Sequence, residues 1–151
     1  METQRKTVEE YLQLRYSNLN DTNITRLAEL LGDGRFEEII PGDGDPFCHI
    51  VRGFTDKSDY IENIKLDMPD RYIKFQIDNI SATEFMSRGD KITNFTIRCL
   101  ATLTYHEFTE QYDVWNVIDD CLITMLNEKI ILAIHNLLFY NNNIKASIVT
   151  S

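Results

Sequence analysis

Proline and glycine are scarce, at three and six in 151 residues, which excludes a collagen-like or linker-dominated chain. Cysteine is scarcer than a disulfide framework needs. Cys48, Cys99 and Cys121 are odd in number and widely spaced, with no CxxC pair, a pattern that suits a reducing compartment. Basic residues are outnumbered 15 to 24, for a formal net charge of −9. This argues against a general nucleic-acid binder, which needs a basic face to displace counterions from phosphates. It argues equally against a surface that clings to anionic lipid. No apolar run is long enough to span a bilayer, and Met1 to Lys6 leads into a polar helix rather than the apolar core of a leader peptide. The expectation is a cytoplasmic chain, in which the glycosylation sequons at Asn20, Asn23, Asn79 and Asn94 are chance matches.

The chain has 43% hydrophobic residues, including eight Phe and seven Tyr, which is enough to build a core and too much for disorder. Its length predicts one domain. Val8, Tyr11, Leu12 and Tyr16 recur at helical spacing between Thr7 and about Leu19, and Thr7 with Glu10 has the form of a capping box. A second helix is predicted near Asn23 to Leu31, stopped by Gly32 and Gly34. Phe36 to Ile40 is a short apolar piece, and Pro41 to Pro46 is the strongest loop signal in the chain. A strand over Phe47 to Phe54 follows, then a third helix reaching about Leu66.

After Pro69 the period becomes alternating. Tyr72 to Ile80 places Ile73, Phe75 and Ile77 on one face. Ile92 to Tyr105 sets Phe95, Ile97, Cys99, Ala101 and Leu103 against Asn94, Thr96, Arg98, Thr102 and Thr104, a sheet with one wet side. Tyr112 to Leu126 is a further strand. Asn127 to Lys129 turns into the apolar run Ile130 to Tyr140, and Asn141 to Ser151 reads as a tail. Helices first and long antiparallel strands later predict an α+β fold, with a curved antiparallel sheet wrapped over the helices as a cone.

Three segments resemble the nuclear-transport-factor-2-like (NTF2-like) superfamily, which includes SnoaL-type polyketide cyclases and ketosteroid isomerases. They are Leu30-Leu31-Gly32-Asp33 at the end of the helix pair, Arg52-Gly53-Phe54 running into the third helix, and Leu122 to Ile131. Glu128 stands where the family usually has glycine, and Pro41 to Pro46 departs from the usual pattern. The resemblance implies a pocket between the sheet and the helices, a homodimer through the outer sheet face, and a small apolar molecule as ligand. It also implies an Asp or His working in an apolar cone without a metal.

Asp119 is the first catalytic candidate, because it alternates in phase with Trp115, Val117, Cys121, Ile123 and Met125. Burial would raise its pKa into the range of a general acid or base. The competing reading is a solvated bulge at Asp119-Asp120. His135, in phase with Ile131, Ala133, Leu137 and Phe139, is the second candidate, and a His–Asp pair would make a general base. Its competing reading is a satisfied core or interface histidine. His49 and Asp45 border the expected pocket, although Asp45 before Pro46 is also plain turn chemistry. Cys48-His49 makes a poor metal pair, since adjacent strand residues point to opposite faces, and Asp43-Gly44-Asp45 lacks the remaining ligands of a calcium loop. No metal and no cofactor is expected. Tyr11, Tyr60, Phe95 and Trp115 could line a ligand cavity or simply fill the core. The two functional readings are an acid–base isomerase, dehydratase or cyclase and a non-catalytic binding or dimerisation module.

Overall fold

The fold was analysed in a computed structural model that describes residues 2–33, 36–41, 49–54, 57–64, 71–105 and 113–140. The elements run α1 (Glu2–Arg15), α2 (Asp21–Glu29), β1 (Phe36–Pro41), β2 (His49–Phe54), α3 (Lys57–Ile64), β3 (Arg71–Ser87), β4 (Asp90–Tyr105), β5 (Asp113–Leu126), β6 (Lys129–Ile134) and β7 (Leu137–Tyr140). The strands form a seven-stranded sheet in the order β2-β1-β6-β5-β4-β3, with β7 continuing beside β5. The α+β class stands. The sheet is mixed rather than antiparallel, because β1 runs parallel to β6. Among the described residues no helix is long and apolar enough to cross a membrane.

The first helix starts earlier than its apolar stripe suggests and stops at Arg15. Thr7 therefore lies inside it, and its hydroxyl donates to the Thr3 carbonyl instead of capping. The second helix is capped by Asn20, whose side chain accepts from the Asn23 amide, the usual remedy for an orphan N–H in a first turn. Gly32 ends no helix through a left-handed turn. It is buried, and its N–H donates to the Ile130 carbonyl, tying the end of the helix pair to β6.

Register explains which faces are buried. Phe95, Ile97, Cys99, Ala101 and Leu103 of β4 all face the core, as their alternation predicts. On β3 the alternation fails, because Ile73 and Asp78 are skipped in the pairing with β4. Each bulge turns the strand over, so Ile73 is 49% exposed while Tyr72, Phe75, Ile77, Ile80 and Ala82 pack on the core. Ile131 is likewise an extra residue against β5, so Ile130 is buried in its place. Val8, Tyr11 and Leu12 of α1 and Leu27 and Leu31 of the α2 region are fully buried in the same cluster.

The outer sheet face is drier than β4 alone suggests. Leu100, Ile118 and Leu138 stand side by side across three strands, and Leu122 faces Ile134. Leu122 and Leu138 are 45% and 60% exposed. Between these rows lies an ion pair of Arg98 with Asp120 at 2.7 Å. Asp120 is thus a solvated outer residue, and Asp119 is not.

Candidate functional site

The interior of the cone holds a chain of buried polar side chains on four elements. Strand alternation sends Asp119 of β5 inward, opposite Cys99 of β4. Ile134 faces Leu122 and Leu137 faces Asp119, so counting between them puts His135 opposite Cys121 and on the same face. The His135 amide donates to the Ile39 carbonyl of β1, which pins the residue between two strands. Asp119 and His135 are 1% and 3% exposed.

The two side chains touch. His135 Nδ1 lies 2.6 Å from Asp119 Oδ2. The Tyr16 hydroxyl also donates to Oδ2, and the Asn136 amide donates to Oδ1 at 3.2 Å. Tyr16 is held for this by stacking on Phe75, with centroids 5.1 Å apart, and by the edge of Tyr72. On the other side of the imidazole, Nε2 lies 3.1 Å from the Tyr11 hydroxyl.

That hydroxyl donates to Glu38 Oε2 at 2.9 Å, and Tyr60 donates to the same oxygen at 3.0 Å. Arg15 completes the cluster, with Nη2 at 3.1 Å from Glu38 Oε1 and Nε at 3.3 Å from Oε2. Glu38 is 1% exposed. Burial by itself would raise its pKa. The Arg15 guanidinium, the His135 charge and the donated hydrogen bonds outweigh burial and hold it at about 2. Burial lowers the pKa of His135, but the contact with Asp119 and the field of Glu38 raise it further, so the net direction is upward. Tyr11, Tyr16 and Tyr60 are pushed well above the usual phenol range, by burial first and then by the carboxylates beside them. The neighbouring Cys99 thiol and burial push the Cys121 thiol up as well.

Of the residues singled out from sequence, Asp119, His135, Tyr11 and Tyr60 come together in this cluster. Phe95 is 1% exposed and belongs to the plain core, and Trp115 packs partly buried at its margin. His49 opens β2 opposite Pro41, with β1 between it and His135; its side chain, Asp45 and Cys48 lie outside the described residues. The solvated-bulge alternative for Asp119 is excluded by its burial.

Glu38, Arg15 and Tyr16 were missed as polar members. Glu38 shares strand parity with buried Phe36, and Arg15 falls four residues after Tyr11 on the buried stripe of α1. In-phase charge was the available signal. A cavity of about 550 Å³ lies elsewhere, lined by Gln4, Gly32, Asp33, Lys91, Asn127 and Lys129. It does not reach the Asp119–His135 pair.

Chemically, the cluster is a closed set of ion pairs. Asp119 accepts three hydrogen bonds and Glu38 four, and those on Glu38 help the Arg15 guanidinium hold it as an anion.

No protein-family profile and no curated protein matches the chain. Solved structures do. A chain of the C. albicans Mtr2–Mex67 M domain complex is 11% identical, with a TM-score of 0.51, over 91% of this chain and 95% of that one. A phenazine biosynthesis-related protein from Pseudomonas aeruginosa is 15% identical, with a TM-score of 0.49, over 99% and 83%. A polyketide cyclase, so described without certainty, from Xanthomonas campestris is 12% identical, with a TM-score of 0.46, over 99% and 98%. The helix pair, the mixed curled sheet and the first of these matches agree: the chain has the fold of the NTF2-like superfamily.

Proposed function

We propose that this protein is a non-catalytic NTF2-like assembly module that pairs with a second copy of itself through the outer face of its sheet. The observation that carries the reading is the outer-face apolar rows of Leu100–Ile118–Leu138 and Leu122–Ile134, set either side of the Arg98–Asp120 pair, with Leu122 and Leu138 exposed and the other three half-buried. Large apolar side chains gathered on one outer face are the kind of surface that interaction sites use. A two-fold axis through such a face lays apolar rows on apolar rows, and the surface carries both signs of charge needed to meet its own copy. The closed cluster supports the non-catalytic half, since Asp119 and His135 are buried, bonded to protein groups and not reached by the cavity.

The test is sedimentation equilibrium of the full chain. The expected species has twice the 17.7 kDa chain mass, and Leu122→Glu or Leu138→Glu is expected to return it to a monomer with an unchanged circular dichroism spectrum. A monomer at all accessible concentrations overturns the reading. An assembly with a different protein through the same face would replace the second copy by a foreign partner.

A second reading is a small-molecule pocket with acid–base chemistry. The 2.6 Å contact of buried Asp119 with buried His135 favours it. It requires that a small apolar molecule raise the melting temperature of the wild type and not of Asp119→Asn. No such shift across a chemically broad ligand set would leave the assembly reading alone.

A further inference from the structure

One group of side chains has donor chemistry that the assembly reading does not use. Asp119, Cys121 and His135 each offer one ligand atom, and these atoms lie within 4.8 Å of one another. All three are buried. Asp119 and Cys121 lie two residues apart on one face of β5, and His135 sits in the two-residue break between β6 and β7, both of which pair with β5. The break is itself pinned, because the His135 amide donates to the Ile39 carbonyl and the Asp120 amide to the Asn136 carbonyl. Cys99 stands opposite Asp119 on β4, beside Cys121.

We infer that Asp119, Cys121 and His135 supply three ligands for one zinc-class divalent cation. The donor set of carboxylate, thiolate and imidazole suits zinc and excludes magnesium and calcium, which take oxygen. With metal–donor lengths of about 2.0–2.3 Å, tetrahedral donors stand roughly 3.3–3.8 Å apart. The 2.6 Å contact between His135 Nδ1 and Asp119 Oδ2 therefore has to open by about 1 Å, within reach of small side-chain rotations.

The surroundings already orient the ligands. In a site of this kind the ring nitrogen not on the metal donates to an acceptor that fixes the tautomer. His135 Nε2 has such an acceptor in the Tyr11 hydroxyl, itself anchored on Glu38. Asp119 is steadied by Tyr16 and by the Asn136 amide. Binding exchanges protons for the ion. His135 gives up its Nδ1 proton and Cys121 its thiol proton, and the divalent charge replaces the imidazolium and meets the new thiolate.

The experiment measures metal in the full chain, expressed with zinc in the medium and dialysed against metal-free buffer. The expected content is about one zinc per chain. Refolding in cobalt(II) is expected to give a thiolate-to-metal charge-transfer band in the near ultraviolet and tetrahedral bands in the visible. Cys121→Ser is expected to lose the zinc and the charge-transfer band, while Cys48→Ser keeps both. Tyr11→Phe, which retains every ligand, is expected to weaken zinc binding by about 10–100-fold, so the site stays testable should Cys121→Ser fail to fold. Zinc-free protein with no cobalt band, or a band that survives Cys121→Ser, overturns the site. Neither result bears on the outer face, whose test is the assembly state.

Discussion

The Tyr11 hydroxyl has one proton, and it is given to Glu38 at 2.9 Å, so at 3.1 Å from His135 Nε2 this oxygen can only accept. His135 must then donate from Nε2, and it must also donate from Nδ1 to the Asp119 carboxylate at 2.6 Å. Hydrogen-bond counting thus makes the metal-free imidazole a cation. The cluster is a neutral quartet of Arg15 and His135 against Glu38 and Asp119. Nitrogen-15 spectra of the metal-free protein are expected to show both ring nitrogens protonated at pH 7. Because the folded pKa of His135 is raised, its contribution to stability is complete below the unfolded value of about 6.5 and is lost as pH rises through the folded value. Urea midpoints in EDTA are expected to fall over that window, and His135→Gln is expected to flatten them. A midpoint that rises with pH there contradicts the assignment.

Glu38 works in the opposite direction. Its pKa is held at about 2 against an ordinary 4.5. Its contribution is therefore complete above 4.5 and disappears as pH falls toward 2. The difference amounts to roughly 3 kcal/mol at neutral pH. Acid unfolding is expected to shift to higher pH when Arg15 is replaced by Met, because the guanidinium is the largest influence holding Glu38 down. The acid midpoint, followed by tryptophan fluorescence from Trp115, checks this.

The helices and long strands were legible because their apolar residues repeat at the periods the backbone imposes. Asp119 and His135 were legible for the same reason, each being a polar residue in phase with apolar neighbours. Glu38 escaped because Phe36 to Ile40 is too short for alternation to stand out, and its burial depends on the parallel pairing of β1 with β6. Such a pairing joins residues about a hundred positions apart and leaves no local trace. Ile73 was placed on the wrong face because a bulge shifts the phase by one residue, and a bulge is set by the partner strand as much as by the bulged one.

The turn between β5 and β6 gives a sharper test of local reading. Glu128 was taken as the departure from a family glycine, yet the residue with positive φ is Asn127, at 54°. Asn tolerates this left-handed conformation better than most residues. Its side chain accepts from the Lys91 amide at 2.9 Å and donates to Asp90 at 3.0 Å, joining the β5–β6 turn to the start of β4. Asn127→Ala is expected to cost about 1–2 kcal/mol from backbone strain alone, and more from the lost hydrogen bonds. Asn127→Gly removes the bonds and relieves the strain, so it is expected to be the milder change. Chemical denaturation of both variants decides it, and a milder alanine would mean that the turn relaxes out of the left-handed region.

Arg15 and Glu38 are expected to be strongly coupled. Removing one partner leaves a charge in a site where Glu38 is 1% exposed, and breaking a buried pair in this way costs about 3–5 kcal/mol. Arg15→Met is expected to fall in that range. Glu38→Gln is expected to cost less, since an amide carbonyl still accepts from Tyr11 and Tyr60, although it strands the guanidinium. The double variant Arg15→Met/Glu38→Gln leaves no unpaired charge at the pair itself. It should be more stable than the two single losses added together predict, by on the order of 1–3 kcal/mol. Simple additivity in a denaturation cycle would mean that water reaches Arg15 once Glu38 is neutral. The cluster would then be closed only while its charges hold it shut, and the interior would be open to a small molecule after all.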